Sequence, residues 1–398
     1  MTVNTIMQDL LQAGKRMENE LIDFRRNLHS FPELSTEESE TAAKVAEKLR
    51  KLGLDVKTNI GGHGIMADLQ GNHPGRCIAL RADMDALPIL EESNLPFASK
   101  RPGVMHACGH DAHTTILLGA VKLLVQQREQ LAGRIRFIFQ PAEEINTGAK
   151  AMISQGVLEG VDEIYGLHNL PTLSAGQAAL INRQMMASVD RLEITLEGKG
   201  GHGAMPDQSI DPIVAASAIV MGLQTAVSRE ISPFDPVVVT IGSIQAGEAY
   251  NVVPQRAKLT GTIRTFSLEV QRHMEQRLRR IIGSIAEAYR CKATLDYFEL
   301  TPVLKSTTEH VNYVESIVDQ LMGTENRLLA APTMGGEDFS VYLEHLPGCF
   351  FWLGSGPEKD AGQAYGLHHP KYTLNEECLA LGASLLAAIA IRRGGFVG

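Results

Sequence analysis

Eight consecutive residues, His106 to His113, carry three histidines, a cysteine and an aspartate. Thiolate and imidazole groups bind borderline-soft divalent metals, and an aspartate beside a histidine can fix its tautomer. Two small residues in the stretch let Cys108 and His110 point toward one position. The alternative is a polar helix start capped by Asp111. The density of ligand types favours metal, and because the stretch offers only two or three ligands, the others must come from elsewhere in the chain.

The elements around this stretch are short apolar strands that alternate with helices. Strands are predicted near residues 77–80, 135–139 and 163–167. This alternation predicts an α/β fold with a parallel sheet. Loops that follow parallel strands converge at one edge of the sheet, where ligands bind. We therefore expect one crevice to collect the charged residues that come near these strand ends, namely Asp83, Asp85, Cys108, His110, Glu143, Glu144 and His168.

The doublet Glu143-Glu144 follows a strand and Gln140-Pro141. Two adjacent carboxylates repel each other unless one binds a cation and the other is held over it. The second can then act as a general base, taking a proton from water and passing it to a leaving amine. Acidic doublets are common on surfaces, but the position behind a strand end favours the functional interpretation.

Further histidines extend the candidate set. His168 follows an apolar strand and is either a metal ligand or a hydrogen-bonded core histidine; the neighbouring candidates favour the ligand. His368 and His369 lie in a loop bounded by glycine and proline. One of the two is predicted to be a ligand that is distant in sequence.

The chain has 398 residues, long for one domain, so two are expected. From about residue 185 the predicted order is βαββαβ, a split ferredoxin-like unit. We predict a catalytic domain formed by 1–184 and 300–398, with a two-layer α+β domain inserted at 185–299. In the insertion, Gly198 to Gly203 match a dinucleotide-loop spacing that lacks the required βαβ context. Arg264 is either a carboxylate anchor or an ordinary strand-edge residue.

Composition limits the possible binding partners and the cellular compartment of the protein. A net charge of −9 argues against nucleic acid and anionic membranes. The N-terminus has no signal-peptide pattern, and the apolar stretch Cys378 to Ile391 is too short to span a bilayer. Five scattered cysteines without a CxxC pair are typical of a reducing cytoplasm.

Several longer motifs resemble one enzyme family, the dinuclear-metal aminoacylases and carboxypeptidases. The branch that is most similar contains hippurate hydrolases, auxin-conjugate hydrolases and thermostable carboxypeptidases. The resemblance covers nearly the whole chain. Its motifs are residues 25–34, 80–88, 106–113, 139–144, 200–206, 261–264 and 336–340.

The resemblance implies a role for each matching residue. The implied metal ligands are Cys108, His110, Glu144, His168 and His368. Glu143 resembles the family's general base, and Asp85 the carboxylate that orients a ligand histidine. The positions implied to contact substrate are His202, Asn251 and Arg264. His202 would help to polarise the scissile carbonyl, and the inserted domain would act as a lid that can also form dimers.

One departure from the wider family concerns the metal. That family has a ligand histidine where Asp83 stands and a bridging aspartate in the role that Cys108 takes here. The metal count, one or two ions, therefore stays open, as does the choice among zinc, manganese, cobalt and nickel, although a thiolate favours zinc.

The predicted activity is metal-dependent hydrolysis of the amide bond of N-acyl amino acids. The alternative enzyme is a carboxypeptidase that acts on short peptides. Two other classes of protein stay open. One is a metal-free hydrolase with Cys108 as the nucleophile. The other is a non-catalytic binding module, but the Glu143-Glu144 pair argues against it.

Overall fold

The computed structural model describes residues 3–357 and 364–394, and its chain forms two compact units. Unit 1 comprises Met1–Arg183, Lys305–Ala331 and Asp338–Gly398, and unit 2 comprises Gln184–Leu304 and Pro332–Glu337. Unit 2 thus also takes in residues 300–304 and 332–337, which the sequence analysis had assigned to the catalytic domain.

Unit 1 is built on an eight-stranded sheet. Numbered in chain order, its strands are β1 (Asp55–Ile60), β2 (Gly64–Gln70), β3 (His73–Asp83), β4 (Ala132–Gln140), β5 (Glu163–Ser174), β6 (Ala178–Leu180), β13 (Arg327–Leu329) and β14 (Gly348–Gly356). Their order across the sheet is β1-β2-β4-β3-β5-β14-β6-β13.

The sheet is mixed, and its central block has the parallel strands that the sequence predicts. The strands β4, β3, β5 and β14 run parallel to their neighbours in this central block, whereas β1 and β2 form an antiparallel edge. β6 pairs antiparallel with β14 and parallel with β13. The parallel block carries the strand ends on which the site prediction depended.

The helices of unit 1 are α1 (Val3–Arg16), α2 (Glu18–Ser30), α3 (Ser39–Lys51), α4 (His110–Gln126), α5 (Gly148–Ser154), α8 (Thr308–Met322), α9 (Phe339–Leu343) and α10 (Glu377–Gly394). α4 and α10 are apolar around most of their circumference and almost fully buried. They contribute a large part of one continuous hydrophobic core with β3, β4 and β5. A helix that is apolar on all sides is stable only when it is enclosed, so α4 begins at a fixed place beneath the strand ends.

Unit 2 has two layers. Its four-stranded antiparallel sheet has the order β12-β7-β11-β9, with β7 (Val189–Glu197), β9 (Val237–Ala246), β11 (Arg256–Thr265) and β12 (Lys292–Thr301). The helices are α6 (Pro212–Glu230) and α7 (Leu268–Ala288), and two short strands, β8 (Gly201–His202) and β10 (Val252–Val253), pair separately. The main elements follow the order βαββαβ, and alternate residues of β7 are buried beneath the helices.

Within the described residues, α6 alone is long and apolar enough to cross a membrane. A core helix passes the same test. α6 buries Ala215, Ile219 and Leu223 in the core of unit 2, together with residues of the sheet.

Candidate metal centre

Four neighbouring elements of unit 1 end or begin at the candidate site. β3 ends at Asp83, α4 begins at His110, β4 ends just before the Glu143-Glu144 doublet, and β5 carries His168. Asp83, His110, Glu143 and His168 are buried. The convergence follows from the parallel order β4-β3-β5, which brings the carboxyl ends of the three strands to one edge.

Cys108 belongs to two groups of ligand atoms. Its Sγ lies within 4.8 Å of ligand atoms of His110 and His168, and equally within 4.8 Å of those of Glu144 and His368. The Cys108 Sγ to His168 Nε2 distance is 3.4 Å, and His368 Nε2 lies 3.5 Å from Glu144 Oε1. All five residues predicted as ligands are therefore brought together, and Cys108 is the member that the two groups share.

Unsatisfied polar atoms point into this cluster. His110 Nε2 and Glu144 Oε1 are buried and make no hydrogen bond within the described residues. Buried polar atoms without partners are rare, and each requires an explanation such as a bound ion. His110 is oriented through its other nitrogen, since Nδ1 lies 3.2 Å from Asp85 Oδ1. Asp85 also accepts hydrogen bonds from Ser35 Oγ at 2.6 Å and Glu144 N at 3.0 Å. The set fits a divalent cation held by thiolate, imidazole and carboxylate groups.

The electrostatics of the cluster favour a cation as well. Burial opposes a charge on His110, but the carboxylates Asp83 and Asp85 outweigh it and raise its pKa to about 10. Burial, followed by Glu144 and Glu143, raises the pKa of the Cys108 thiol well above its usual value. The carboxylates contribute to both shifts, and a divalent ion would neutralise their charge while binding Cys108 as thiolate.

Two other histidines of the opening motif differ from His110 in their surroundings, although His113 forms a further group of possible ligand atoms with Asp83 and His110. His113 Nδ1 lies 2.6 Å from Asp83 Oδ1, and its Nε2 accepts hydrogen bonds from Asn169 N at 2.9 Å and Asn169 Nδ2 at 3.0 Å. Both of its nitrogens are therefore used. His106 is buried, and neither of its ring nitrogens has a hydrogen-bond partner among the described residues. Of the late pair, His369 stacks on Tyr365 with ring centroids 4.3 Å apart, which leaves His368 for the cluster.

Asn169 is a site residue to which the sequence analysis gave no role. Its Nδ2 also donates to the Cys108 carbonyl at 2.6 Å, and its Oδ1 accepts from Tyr372 Oη at 2.6 Å and Ser355 Oγ at 3.0 Å. Gly109 has φ +90°, and a Cβ there would lie 2.2 Å from Asn169 Nδ2. Asn169 thus holds the cysteine loop against the middle of β5. The only signal in the sequence was its position next to His168.

A second network that the sequence did not predict lies beneath Glu143. Arg81 donates to Asp83 at 2.7 Å, Gln140 at 2.8 Å and Asp338 at 2.8 Å, all of them buried. The backbone N–H of Asp338 lies 3.4 Å from Glu143 Oε1. Asp338 lies in residues 336–340, one of the motifs that carry the family resemblance. That motif was the only indication in the sequence that Asp338 belongs to the site.

In unit 2, two of the three predicted substrate contacts are neighbours. His202 and Val252 are partners in the β8–β10 pair, and Gly203 N donates to the carbonyl of Asn251 at 2.8 Å. His202 and Asn251 are exposed. No hydrogen bond or ion pair in the described part of the chain joins Arg264 to either of them.

The Arg264 side chain is half-buried and has little to bind. Its Nε donates to Thr262 Oγ1 at 3.1 Å, and no carboxylate of the described residues forms an ion pair with it. Burial lowers its pKa despite the influence of Asp190. Gly336 approaches it so closely that a Cβ there would lie 3.0 Å from Nη1. A partly buried guanidinium with free donors is suited to binding an anion.

A buried cluster of thiol, imidazole and carboxylate groups at the carboxyl edge of an α/β sheet is typical of metal-dependent hydrolases. The model of the peptidase family M20/M25/M40 matches residues 79–392. This chain belongs to that family.

Relatives match over nearly their full length. An N-acetylcysteine deacetylase of Bacillus subtilis is 42% identical over 95% of this chain and 98% of its own. Thermostable carboxypeptidase 2 of Saccharolobus solfataricus is 39% identical over 97% and 98%. The crystal structure of the B. subtilis YXEP protein, described as a dinuclear metal binding peptidase, superposes with a TM-score of 0.81. It is 39% identical and covers 94% of this chain and 98% of its own.

Proposed function

We propose that this protein hydrolyses the amide bond of N-acyl amino acids with the help of divalent metal. The observation that carries the proposal is the pair of ligand groups that share Cys108, with the buried Glu143 beside them. Relatives that are named as a deacetylase and as a carboxypeptidase support an amide substrate. A carboxypeptidase acting on short peptides is the second candidate, favoured by the relative that is named as a thermostable carboxypeptidase. The half-buried Arg264 would suit the carboxylate of either substrate.

Each residue of unit 1 has a task in this mechanism. Cys108, His110, Glu144, His168 and His368 would hold the metal, and Asp85 would fix the orientation of His110. When bound, a divalent metal acts as a Lewis acid on the scissile carbonyl and makes water more acidic. Glu143 takes the proton of the attacking water and delivers it to the leaving amine, the usual pattern of general acid–base catalysis.

The residues of unit 2 would bind the substrate. Arg264 would pair with the carboxylate of the amino acid, and Asn251 would assist it. His202 accepts a hydrogen bond from Ala204 N through Nδ1 at 3.0 Å, which leaves Nε2–H as its donor. That donor would stabilise the oxyanion as the carbonyl is attacked.

The metal-free alternative is disfavoured by the electrostatics. A Cys108 nucleophile would need a thiolate–imidazolium pair with His168, whose Nε2 is 3.4 Å away. Burial raises the pKa of Cys108, and burial together with His113 holds the pKa of His168 well below its usual value. Both shifts favour the neutral pair, so the thiol is not activated by this histidine.

Three finer points complete the proposal. The soft thiolate suits zinc, and the carboxylates of the cluster suit manganese. Cobalt and nickel are the other ions with which the protein should be reconstituted. The location proposed is the cytoplasm; the five cysteines are free and buried. Unit 2 would act as the lid and as the surface through which a homo-oligomer forms.

The first experiment measures metal and activity together. Protein purified without added metal is analysed for ions, stripped with chelator and reloaded with single divalent ions. Hydrolysis is then followed for acetyl, benzoyl and longer N-acyl amino acids and for dipeptides. We expect activity to disappear with the metal and to return on reloading. Full activity after complete removal of metal would contradict the proposal.

A second experiment examines the carboxylate anchor. Arg264→Ala should lower kcat/KM by more than ~10²-fold, the scale of a charge-assisted pair. For a substrate analogue whose carboxylate is replaced by an amide, Arg264→Ala should change kcat/KM little, because the contact is already missing. The control is Arg256→Ala on the same strand, where Arg256 is exposed and paired with Glu197 at 2.9 Å. Equal losses for both substrates would show that Arg264 supports the structure of unit 2 and does not bind the carboxylate.

A further inference from the structure

The turn that presents Glu143 and Glu144 begins at a strained residue. Ala142 has φ 54°, in the left-handed region that residues with a Cβ rarely adopt. Its carbonyl accepts hydrogen bonds from Thr147 N at 3.3 Å and Gly148 N at 3.1 Å, which closes the turn. Strained backbone of this kind persists only where the surroundings enforce it, and such positions cluster at functional sites.

The enforcing group is a buried carboxylate from a distant part of the chain. Glu38, just before α3, is fully buried, and its Oε1 accepts the N–H of Ala142 at 2.8 Å. The same oxygen accepts the N–H of Thr36 at 2.9 Å, and Thr36 is also left-handed, with φ 73°. One oxygen therefore binds two strained residues that are more than a hundred positions apart.

The same segment reaches the site at a second point. Ser35 Oγ donates to Asp85 Oδ2 at 2.6 Å, and that oxygen also accepts the backbone N–H of Glu144 at 3.0 Å. The backbone amides on both sides of Glu143, those of Ala142 and Glu144, are thus held directly or through Asp85 by residues 35–38.

We propose that Glu38 is a positioning residue, which sets the Ala142 turn and thereby the placement of Glu143 and Glu144. The inference rests on the proposed function, in which Glu144 is a ligand and Glu143 the base. Glu38 acts through the backbone and does not touch the reacting atoms.

The charge of Glu38 is not what the turn requires. Burial raises the pKa of Glu38 to about 7, despite its backbone hydrogen bonds, and its Oε2 has no hydrogen-bond partner among the described residues. The required feature is an acceptor oxygen at the Oε1 position, which a glutamine also supplies. Glu38→Gln should therefore preserve the turn, and Glu38→Ala should release it.

Glu33 offers a matched control. It is buried, lies in the same segment, and also accepts two backbone N–H groups, Glu40 N at 3.1 Å and Thr41 N at 2.7 Å. Those amides belong to the start of α3 and not to the turn. Glu33→Ala should therefore weaken the fold in a similar way without changing Glu143 and Glu144.

The experiment compares Glu38→Ala, Glu38→Gln and Glu33→Ala, each loaded with zinc or manganese. For Glu38→Ala we expect kcat and metal affinity to fall ~10–100-fold, the range found when the partner of a ligand is lost. We also expect faster hydrogen exchange in peptides that cover residues 140–147. Glu38→Gln and Glu33→Ala should stay near wild type in kcat, in metal affinity and in that exchange.

Contrary results have distinct meanings. Wild-type kcat and exchange in folded Glu38→Ala, or equal losses in Glu33→Ala, would overturn the positioning role. A loss in Glu38→Gln as large as in Glu38→Ala would also overturn it. If wild-type protein hydrolyses no substrate of the panel, the proposed function fails, while metal affinity and exchange still decide the role of Glu38.

Discussion

Buried charged groups surround β5 at its amino end and at its middle, but the two sets are arranged in opposite ways. At the amino end, Glu163 accepts hydrogen bonds from Tyr165 Oη at 2.8 Å and Arg393 Nε at 2.6 Å, and it also pairs with Arg76 and His310. None of the side-chain polar atoms of Glu163, Tyr165 or His310 is left buried without a partner. At the middle of the strand, around His168, His110 Nε2 and Glu144 Oε1 have no hydrogen-bond partner among the described residues.

The difference separates a structural cluster from a binding site on one strand. Glu163 and Arg393 tie the start of β5 to α10, and because every group is satisfied, nothing is left to bind a ligand. Around His168, buried polar atoms have no hydrogen-bond partner among the described residues. Burying such atoms costs free energy unless a ligand supplies the missing interaction. Disrupting each cluster in turn should therefore affect different properties. Changes around His168 should affect metal affinity and turnover, and changes around Glu163 should affect the stability of the fold.

The largest effect is expected from Cys108→Ala. Loss of the shared ligand should reduce metal affinity by more than ~10²-fold, beyond the loss typical for an outer partner, and activity should fall with it. Metal content and turnover after loading with zinc or manganese provide the measurement. Cys349→Ala, at a buried cysteine of β14, is the control and should keep both. Rapid alkylation of Cys108 in metal-loaded protein would contradict its role as a ligand.

Glu143→Gln should act on turnover alone. A general base typically contributes ~10²–10⁴-fold, so kcat should fall by at least ~10²-fold while metal content stays at the wild-type level. Glu144→Gln should differ by losing metal as well. Near-normal kcat in Glu143→Gln would remove this residue from the proton transfer.

Asn169→Ala should produce an intermediate effect. The change removes the bonds to the Cys108 carbonyl and to His113, so metal affinity should fall ~10–100-fold, as for other partners of ligands. Calorimetric titration with metal measures this loss. Asn182→Ala, which removes a bond to Thr308 at 2.8 Å outside the cluster, should leave the affinity unchanged. Identical affinities in the two variants would mean that Asn169 does not support the site.

The smallest effect on activity is expected at the amino end of β5. Glu163→Gln should keep kcat and metal affinity, yet reduce the free energy of unfolding by ~2 kcal/mol, the scale of hydrogen bonds to a charged group. Thermal unfolding with and without metal measures both consequences.

The same variant should also change how stability depends on acid. The hydrogen bonds with His310, Arg393 and Tyr165 outweigh burial and lower the pKa of Glu163 to about 2. A depressed pKa stabilises the fold above the ordinary glutamate value near ~4.3, and this contribution is lost as the pH falls toward 2. Wild-type protein should lose stability over that interval more steeply than Glu163→Gln. Parallel curves for the two proteins would show that Glu163 contributes no such pH dependence.

Local patterns in the sequence predicted the central strands, the start of α4 and the unit with the order βαββαβ. They did not predict the antiparallel β1–β2 edge, because pairing direction depends on contacts between distant segments. Spacing likewise could not distinguish the histidines of the opening motif. His113 differs from His110 only through Asp83 and Asn169, which occupy both of its nitrogens. The hydrogen bond from Ala142 to Glu38 could not be predicted from the sequence either, because only the fold brings the two segments together.

The way in which unit 2 is inserted has a consequence for how the molecule can change. In unit 1, Asn182 and Thr308, close to where the chain leaves and returns, are joined by a hydrogen bond of 2.8 Å. Within unit 2, Met185 N donates to the Leu304 carbonyl at 2.9 Å, so the ends of the insert also meet. When the ends of an insert are adjacent, the host chain has only a short gap to close. Replacement of the insert is therefore tolerated. The segment from 184 to 304, completed by residues 332–337 of unit 2, is therefore a cassette: its replacement could alter substrate preference while the segments of unit 1 that carry the predicted metal ligands keep their sequence.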